Sequence, residues 1–303
     1  MARNREKQSS LVHQVQAALD SKLAIGQSKH LDKLKGKEFT RDKIYSWETY
    51  RSYMKHCNYF TQYCKEEHGC KTLDQCRPYV DEWLQKRSVQ GLSAYTQKLE
   101  ASALAKMYGC STNEFIKTEV RHRADISRSR GEKTRDKHFS EKNNKDLVEF
   151  CKSTGLRRAE LKLLTGDKLI MKSDKYYIKV DKGSKGGRYR EAPVIHNIDL
   201  VKSFMNEAGN GNVFDKIPNG ADIHSYRSSY ATELYNSIAR PIDEIPYDKI
   251  NKGTGRAYQS QVYHCRGDLK GISYDKAAMK QTSEALGHNR ISIIAEHYIR
   301  GGE

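Results

Sequence analysis

No run of apolar residues approaches the roughly 18 that a membrane-spanning helix needs, so a soluble, cytoplasmic protein is expected. The opening MARNREKQSS is polar and offers neither an apolar leader nor a lipid signal. The seven cysteines include no CxxC pair, and their odd number speaks against a disulfide framework and for a reducing compartment. His56, Cys57, Cys64, His68, Cys70 and Cys76 lie close enough in the chain to raise zinc. Cys57 and Cys64, however, fall on the apolar stripe of a helix, where free cysteine behaves as a small hydrophobe, and no metal is expected. Internal repeats and low-complexity tracts are also missing. Acidic residues are outnumbered: 38 Asp and Glu stand against 54 Lys and Arg, a formal charge of +16. Such a chain is drawn to a polyanion, with nucleic acid first among the partners. A basic membrane-surface protein would need a concentrated amphipathic helix instead.

A length of 303 residues suits two domains. The first half reads as helix. Leu11, Val12, Val15, Ala18 and Leu19 recur at helical spacing, which favours an amphipathic helix docked on the core over a free N-terminal arm. From Ile44, the residues Trp47, Tyr50, Met54, Cys57, Phe60 and Cys64 predict a helix that Gly69 ends. Further helices are predicted from Asp74 to Lys86 and from Ser93 to Gly109, the latter with Leu99, Ala103 and Met107 inward. Ser111 and Glu114 have capping-box spacing for another short helix. RHRADISRSRGEKTRDKH, over 121–138, lacks a buried-face period and reads as a basic linker. A solvated loop and a linker that wraps a duplex are equally open there, with Arg121, Arg123, Arg128, Arg130, Lys133 and Arg135 as the candidate DNA contacts. Beyond it, helices are predicted near 142–153, 158–164, 199–207, 224–238, 276–286 and 291–298. Three short strands, KLIMK (168–172), YYIKV (176–180) and REAPVI (190–195), form one small antiparallel sheet. The expected fold is therefore mainly α with a small antiparallel β-sheet (α+β): a helical domain over 1–120, the linker over 121–138 and a mixed domain over 139–303.

Four segments of the second domain hold the residue types that metal-free phosphoryl transfer requires: STGLRRAEL (153–161), DKGSKGGRYREAPV (181–194), HSYRSSYAT (224–232) and ALGHNRISIIAEHYI (285–299). Without a metal, protein cations must neutralise the charge that grows on the phosphoryl oxygens. Arg suits this because its planar fork donates two parallel hydrogen bonds, and Arg157 and Arg227 are the candidates. The leaving 5′ oxygen needs a proton, which Lys185 on a hairpin turn could supply, with Lys182 as the competing choice. A tyrosine hydroxyl can attack and conserve the bond energy in a phosphotyrosine, so that resealing needs no ATP; Tyr298 is the candidate nucleophile. His224 and His288 can donate to the phosphate or accept the tyrosine proton, and Glu160, one turn after Arg157, can orient a neighbouring His or Arg. Each signal alone is weak. Their joint occurrence in this order is what counts.

Together these segments resemble the boxes of the tyrosine recombinase, or phage integrase, family over roughly residues 137–303. TGLRRAEL resembles the first-arginine box, which implies Arg157 as the first catalytic arginine and Glu160 as its supporting acid. SKGGRYREAPV resembles the hairpin that presents the catalytic lysine, which implies Lys185. HSYRSSYAT resembles the His-x-x-Arg box, with His224 and Arg227, and LGHNRISIIAEHYI the closing box, with His288 and the nucleophile Tyr298. The His288 to Tyr298 interval is one residue longer than the family's commonest, and Tyr263 and Tyr274 lie nearby as rivals. The stretch from Ala239 to Ser273 is longer than the usual link, as in integrases of integrative conjugative elements. The resemblance implies a helical core-DNA-binding domain that closes with the catalytic domain around duplex DNA, and site-specific recombination that integrates or excises a mobile element through 3′-phosphotyrosine links and a Holliday junction. It also implies a protein monomeric in solution and homotetrameric on paired attachment sites, associated with the nucleoid, working without cofactors and with an accessory DNA-bending or directionality protein. A type IB topoisomerase and a catalytically silent DNA-binding protein of the same fold are the competing readings; a basic RNA- or membrane-binding protein would leave the four boxes as coincidence.

Overall fold

The computed structural model describes residues 9–36, 38–122, 139–184 and 187–299. The chain divides into two compact units, Met1–Ile126 and Ser127–Glu303. Both are mainly helical, and the strands form small antiparallel sheets, so the expected fold class is the one observed. Among the described residues, no helix is long and apolar enough to cross a membrane.

The first unit holds α1 (Leu11–Asp20), α2 (Lys29–Lys35), α3 (Glu38–Arg41), α4 (Trp47–His68), α5 (Leu73–Cys76), α6 (Val80–Val89) and α7 (Ala94–Tyr108). Leu11, Val15 and Leu19 of α1 enter the same core as Phe60, Cys64, Leu84 and Leu104, while Val12 faces outward. Helix α4 starts three residues later than its apolar period suggests. The Ser46 hydroxyl caps it by accepting the Thr49 N–H at 3.2 Å, and Ile44 is buried instead beside Leu23 in a β-bridge. The helix predicted from Asp74 to Lys86 is broken. Pro78 has no N–H to donate, and a 3₁₀ turn over Arg77–Tyr79 separates α5 from α6.

On α7, Leu99 was expected inward but is 37% exposed. The buried face carries Gln97, Glu100, Ala101 and Leu104, and its polar members are hidden from a count of apolar residues. The Glu100 carboxylate is fully buried and accepts Arg87 Nε at 3.1–3.2 Å, with His56 Nδ1 at 3.2 Å. Burial opposes its charge, but His56 and Arg87 outweigh that and lower its pKa. Cys57, Cys64, Cys70 and Cys76 are free thiols in the core, and His68 stacks on Tyr79 with ring centroids 3.7 Å apart.

The second unit holds α8 (Lys145–Thr154), α9 (Arg158–Leu161), β1 (Leu169–Lys172), β2 (Lys175–Val180), β3 (Arg190–Pro193), α10 (Ile198–Ala208), α11 (Ile223–Ile238), β4 (Lys249–Asn251), β5 (Arg256–Tyr258), β6 (Val262–His264), β7 (Ser273–Asp275) and α12 (Lys276–Ala285). Strands β1, β2 and β3 form an antiparallel sheet in that order, with Ile178 opposite Ala192 and Val180 opposite Arg190. One sheet was expected here. The insertion from Ala239 to Ser273 adds two separate ribbons, β4 with β5 and β6 with β7, the last strand running on to Asp275. Arg240 and Asp275 close this insertion, with Nε to Oδ2 at 2.7 Å, and Asp275 also caps α12. Burial opposes the Asp275 charge, but the hydrogen bond from Arg240 is the larger influence and depresses its pKa.

Candidate active site

Helix α8 ends at Gly155, whose φ of +60° is a left-handed conformation in which glycine is strain-free. No other residue fits, because a Cβ there would run into the fully buried ring of Tyr230 on α11. The chain then turns through Leu156 and starts α9. The Arg157 N–H donates to Glu160 Oε2 at 2.7 Å, and Arg157 Nη1 donates to Oε1 of the same carboxylate at 2.7 Å. Arg158, its neighbour, donates to the carbonyls of Ile217, Pro218 and Ala221 at 2.6–3.2 Å. It thereby fixes the entry to α11 against α9.

Helix α11 begins at Asp222, whose side chain accepts the Ser225 N–H at 3.2 Å. His224 lies in its first turn and Arg227 three residues on, so both project from one face. The Arg227 side chain is buried. Its Nη1 donates to the Gly155 carbonyl, its Nη2 to the Leu286 carbonyl, and its Nε to the Tyr298 hydroxyl at 3.3 Å. Leu286 follows α12, and its carbonyl also accepts Arg157 Nη2 at 3.0 Å. One peptide oxygen thus holds both arginines.

The nucleophile candidate sits in a rare backbone form. Residues Ile294–Tyr298 make a π turn, closed by the Ile299 N–H donating to the Ile294 carbonyl at 2.9 Å. This five-residue bond wraps one residue more than an α turn, which accommodates the extra residue between His288 and Tyr298. The Tyr298 hydroxyl lies 3.2 Å from His288 Nε2. Since Arg227 can only donate, the hydroxyl accepts from Arg227 and is free to donate to the imidazole. The His224 ring stands edge-on to the Tyr298 ring, with centroids 5.5 Å apart. Arg157, Arg158, His224, Arg227, His288 and Tyr298 all line one pocket of about 380 Å³. A larger cleft, about 470 Å³, shares only His288 with it and mixes Lys175 and Arg188 with Glu191 and Glu284.

The charges in this pocket are unbalanced. Glu160 is the carboxylate that pairs with the arginines here: Arg190 donates to both its oxygens at 2.7 Å, and Arg157 to one. Burial disfavours the carboxylate, but Arg190 and its neighbours outweigh this and hold Glu160 at a pKa of about 2. Burial lowers Arg227 to about 10, with repulsion from Arg157 and Arg190 adding to the effect. His288 falls to about 4 through burial and through the same three arginines, so its ring is neutral at pH 7. Among the described residues, the four guanidiniums of Arg157, Arg158, Arg190 and Arg227 outnumber the Glu160 carboxylate and make a site that favours an anion.

The depression of His288 has a measurable sign. An unfolded histidine titrates near 6.5, so between pH 6.5 and about 4 the unfolded chain binds the extra proton. Stability therefore falls as pH is lowered through that window, and the loss is complete below it. Glu160, depressed from 4.5, begins to contribute only below that value. Thermal melting at pH 7 and pH 4.5 should show a larger drop for the parent than for His288→Gln. Equal drops would show that the imidazole is not held neutral.

The structure thus brings together Arg157, Glu160, His224, Arg227, His288 and Tyr298. Tyr263 and Tyr274, the rival tyrosines, belong to the β6–β7 ribbon, and Tyr274 is buried in the core. Lys185 lies outside the described residues, as do Arg123, Arg128, Arg130, Lys133 and Arg135. Lys182 is described and exposed. Beside the β2–β3 turn, Gly183 packs so closely on the Ala159 backbone that a Cβ would lie 2.6 Å from its carbonyl oxygen. Arg121 belongs to the first unit, with its guanidinium 4.7 Å from the centre of the Tyr95 ring. Sequence reasoning missed Arg190, a buried arginine that also donates to the Ala285 carbonyl at 2.8 Å. Its signal was an arginine on the inward side of a strand, in alternation with Ala192. Among the described residues, no group of three or more His, Cys, Asp or Glu is placed to hold a metal ion.

No protein-family model matches the chain, and no curated protein matches it. Solved structures do. The chain is similar to the Tn1549 transposon integrase in complex with transposon right-end DNA, with a TM-score of 0.45 and 13% identity over 97% of this chain and 96% of that one. It is similar to the same integrase in complex with circular intermediate DNA, at a TM-score of 0.46 and 12% identity over 97% and 96%. It is also similar to the XerH site-specific recombinase in a post-cleavage complex with a palindromic difH substrate, at a TM-score of 0.43 and 16% identity over 96% and 93%.

Proposed function

We propose that this protein is a tyrosine recombinase that cuts and rejoins duplex DNA at specific sites, integrating or excising a mobile element. The observation that carries this reading is the Tyr298 hydroxyl, held by Arg227 and His288 in a pocket that Arg157 and His224 also line. A phosphodiester entering that pocket supplies the negative charge that the arginines lack. The Tyr298 oxygen attacks phosphorus, and its proton passes to the neutral imidazole of His288. The bond from phosphorus to the 5′ oxygen breaks, leaving a 3′-phosphotyrosine and a 5′ alkoxide that takes a proton from Lys185. Arg157 and Arg227 stabilise the charge on the non-bridging oxygens, and His224 donates to one of them. Religation reverses each transfer, so neither ATP nor a metal enters the balance. Four protomers on two attachment sites would exchange strands in this way, with Arg121, Arg123, Arg128, Arg130, Lys133 and Arg135 on the phosphate backbone and an accessory DNA-bending or directionality protein alongside.

The test uses nicked duplexes that span the DNA flanking the coding sequence, designed so that the short 5′ fragment diffuses away after cleavage. Incubation in EDTA without ATP, followed by a denaturing gel, is expected to show a slow-migrating protein–DNA adduct. Tight, salt-sensitive binding with no adduct on any site would identify a silent DNA-binding protein. Relaxation of any supercoiled circle, without site preference, would identify a topoisomerase.

A further inference from the structure

The Tyr298 side chain is held at its hydroxyl, but its backbone is held too, by residues for which the chemistry gives no role. Ser228 follows Arg227 on α11 and is buried. Its hydroxyl donates to the Tyr298 carbonyl at 2.7 Å. Thr232, one turn further along, places its hydroxyl 3.4 Å from the same carbonyl, although its shorter bond, 3.0 Å, goes to the Ser228 carbonyl of its own helix. Tyr298 is the last residue of the π turn and Ile299 is extended, so among the described residues its carbonyl has no continuing helix to pair with. Left without a partner in this buried setting, that oxygen would favour another backbone register.

We infer that Ser228, supported by Thr232, is a positioning residue that locks the π turn in the register that aims Tyr298 at the phosphate. Consecutive residues of one helix then grip the two ends of one tyrosine: Arg227 takes the hydroxyl and Ser228 the carbonyl. The π turn is closed by the bond from the Ile299 N–H to the Ile294 carbonyl. Were it to relax to an α turn, the Tyr298 side chain would rotate about the helix axis and leave Arg227 and His288. Ser228 contacts the register-sensitive carbonyl and therefore distinguishes the two states. It touches neither DNA nor the reacting atoms in this role, so its effect belongs in the cleavage rate and not in DNA affinity.

This inference rests on the reading of Tyr298 as the nucleophile, and the experiment separates the two. Single-turnover cleavage of the nicked duplex is measured as a function of DNA concentration for the parent and for Ser228→Ala, Ser228→Thr and Ser228→Val. The saturating rate of Ser228→Ala is expected to fall at least tenfold, with an unchanged half-saturating DNA concentration. Ser228→Thr and Ser228→Val have nearly the same shape and differ in the hydroxyl. The Thr protein is expected to cleave at least tenfold faster than the Val protein. Equal rates for Thr and Val, a Val protein that fails to fold where Thr folds, or a loss expressed in the half-saturating concentration would each reduce Ser228 to a structural role and overturn the inference. A parent protein that gives no adduct would overturn the reading of the site itself.

Discussion

Tyr298→Phe protein is expected to bind duplex DNA as the parent does and to form no covalent adduct, a loss on the order of 10⁴-fold or more. The substitution removes one oxygen and leaves the ring, which is buried among Ala295, Ile294 and Ile299 in the core formed with α11 and α12. Arg227 loses one of three acceptors and His288 one partner. A bound phosphate can replace both, so affinity should survive. Gel-shift titration and the suicide-substrate assay, run on the same preparation, check the two halves of this expectation. An adduct formed at the parental rate would pass the role of nucleophile to another tyrosine.

Arg227→Met is expected to slow cleavage about 10³-fold while leaving the melting temperature within about 5 °C of the parent. The reason is that Arg227 is badly placed for stability. Its charge is buried with no carboxylate at hydrogen-bond distance among the described residues, beside two further arginines, and holding it there costs on the order of 3 kcal/mol. The hydrogen bonds it donates to Gly155, Leu286 and Tyr298 offset this by about 1 kcal/mol each. Methionine fills similar space, removes the buried charge and gives up those bonds, so the two changes nearly cancel. In the reaction nothing cancels, because the developing phosphoryl charge loses its most buried donor. Calorimetry beside single-turnover cleavage tests the trade. Cleavage within tenfold of the parent would mean that Arg227 serves the fold and not the chemistry.

Much of the site was legible because its chemistry needs particular residues at short spacings. Arg157 with Glu160 and His224 with Arg227 each lie three residues apart, a single helical turn, and each pair shares a face in the structure. What could not be read depended on contacts between distant segments. Arg190 becomes intelligible only once β3 pairs with β2 and places it opposite Val180, facing Glu160. Ser228 looks like one more serine in HSYRSSYAT until the turn that carries Tyr298 packs on α11. The extra residue before Tyr298 was visible as a spacing, but nothing in ISIIAEHY announces a π turn, because the i to i+5 bond depends on where the tyrosine is pinned. In the same way Gln97 and Glu100 hid the inward face of α7, since their burial depends on Leu92, Arg87 and His56 on other elements. The ribbons of 239–275 are short, with β4 and β5 exposed throughout, so they lack the alternation by which β1 and β2 were found.

The most direct test is to identify the residue that carries the DNA. The adduct from the nicked duplex would be digested with protease and nuclease and the nucleotide-bearing peptide sequenced by mass spectrometry. The account predicts a nucleotide attached through a 3′ phosphate to Tyr298. Attachment to Tyr263, Tyr274 or any serine, or linkage through a 5′ phosphate, would contradict it.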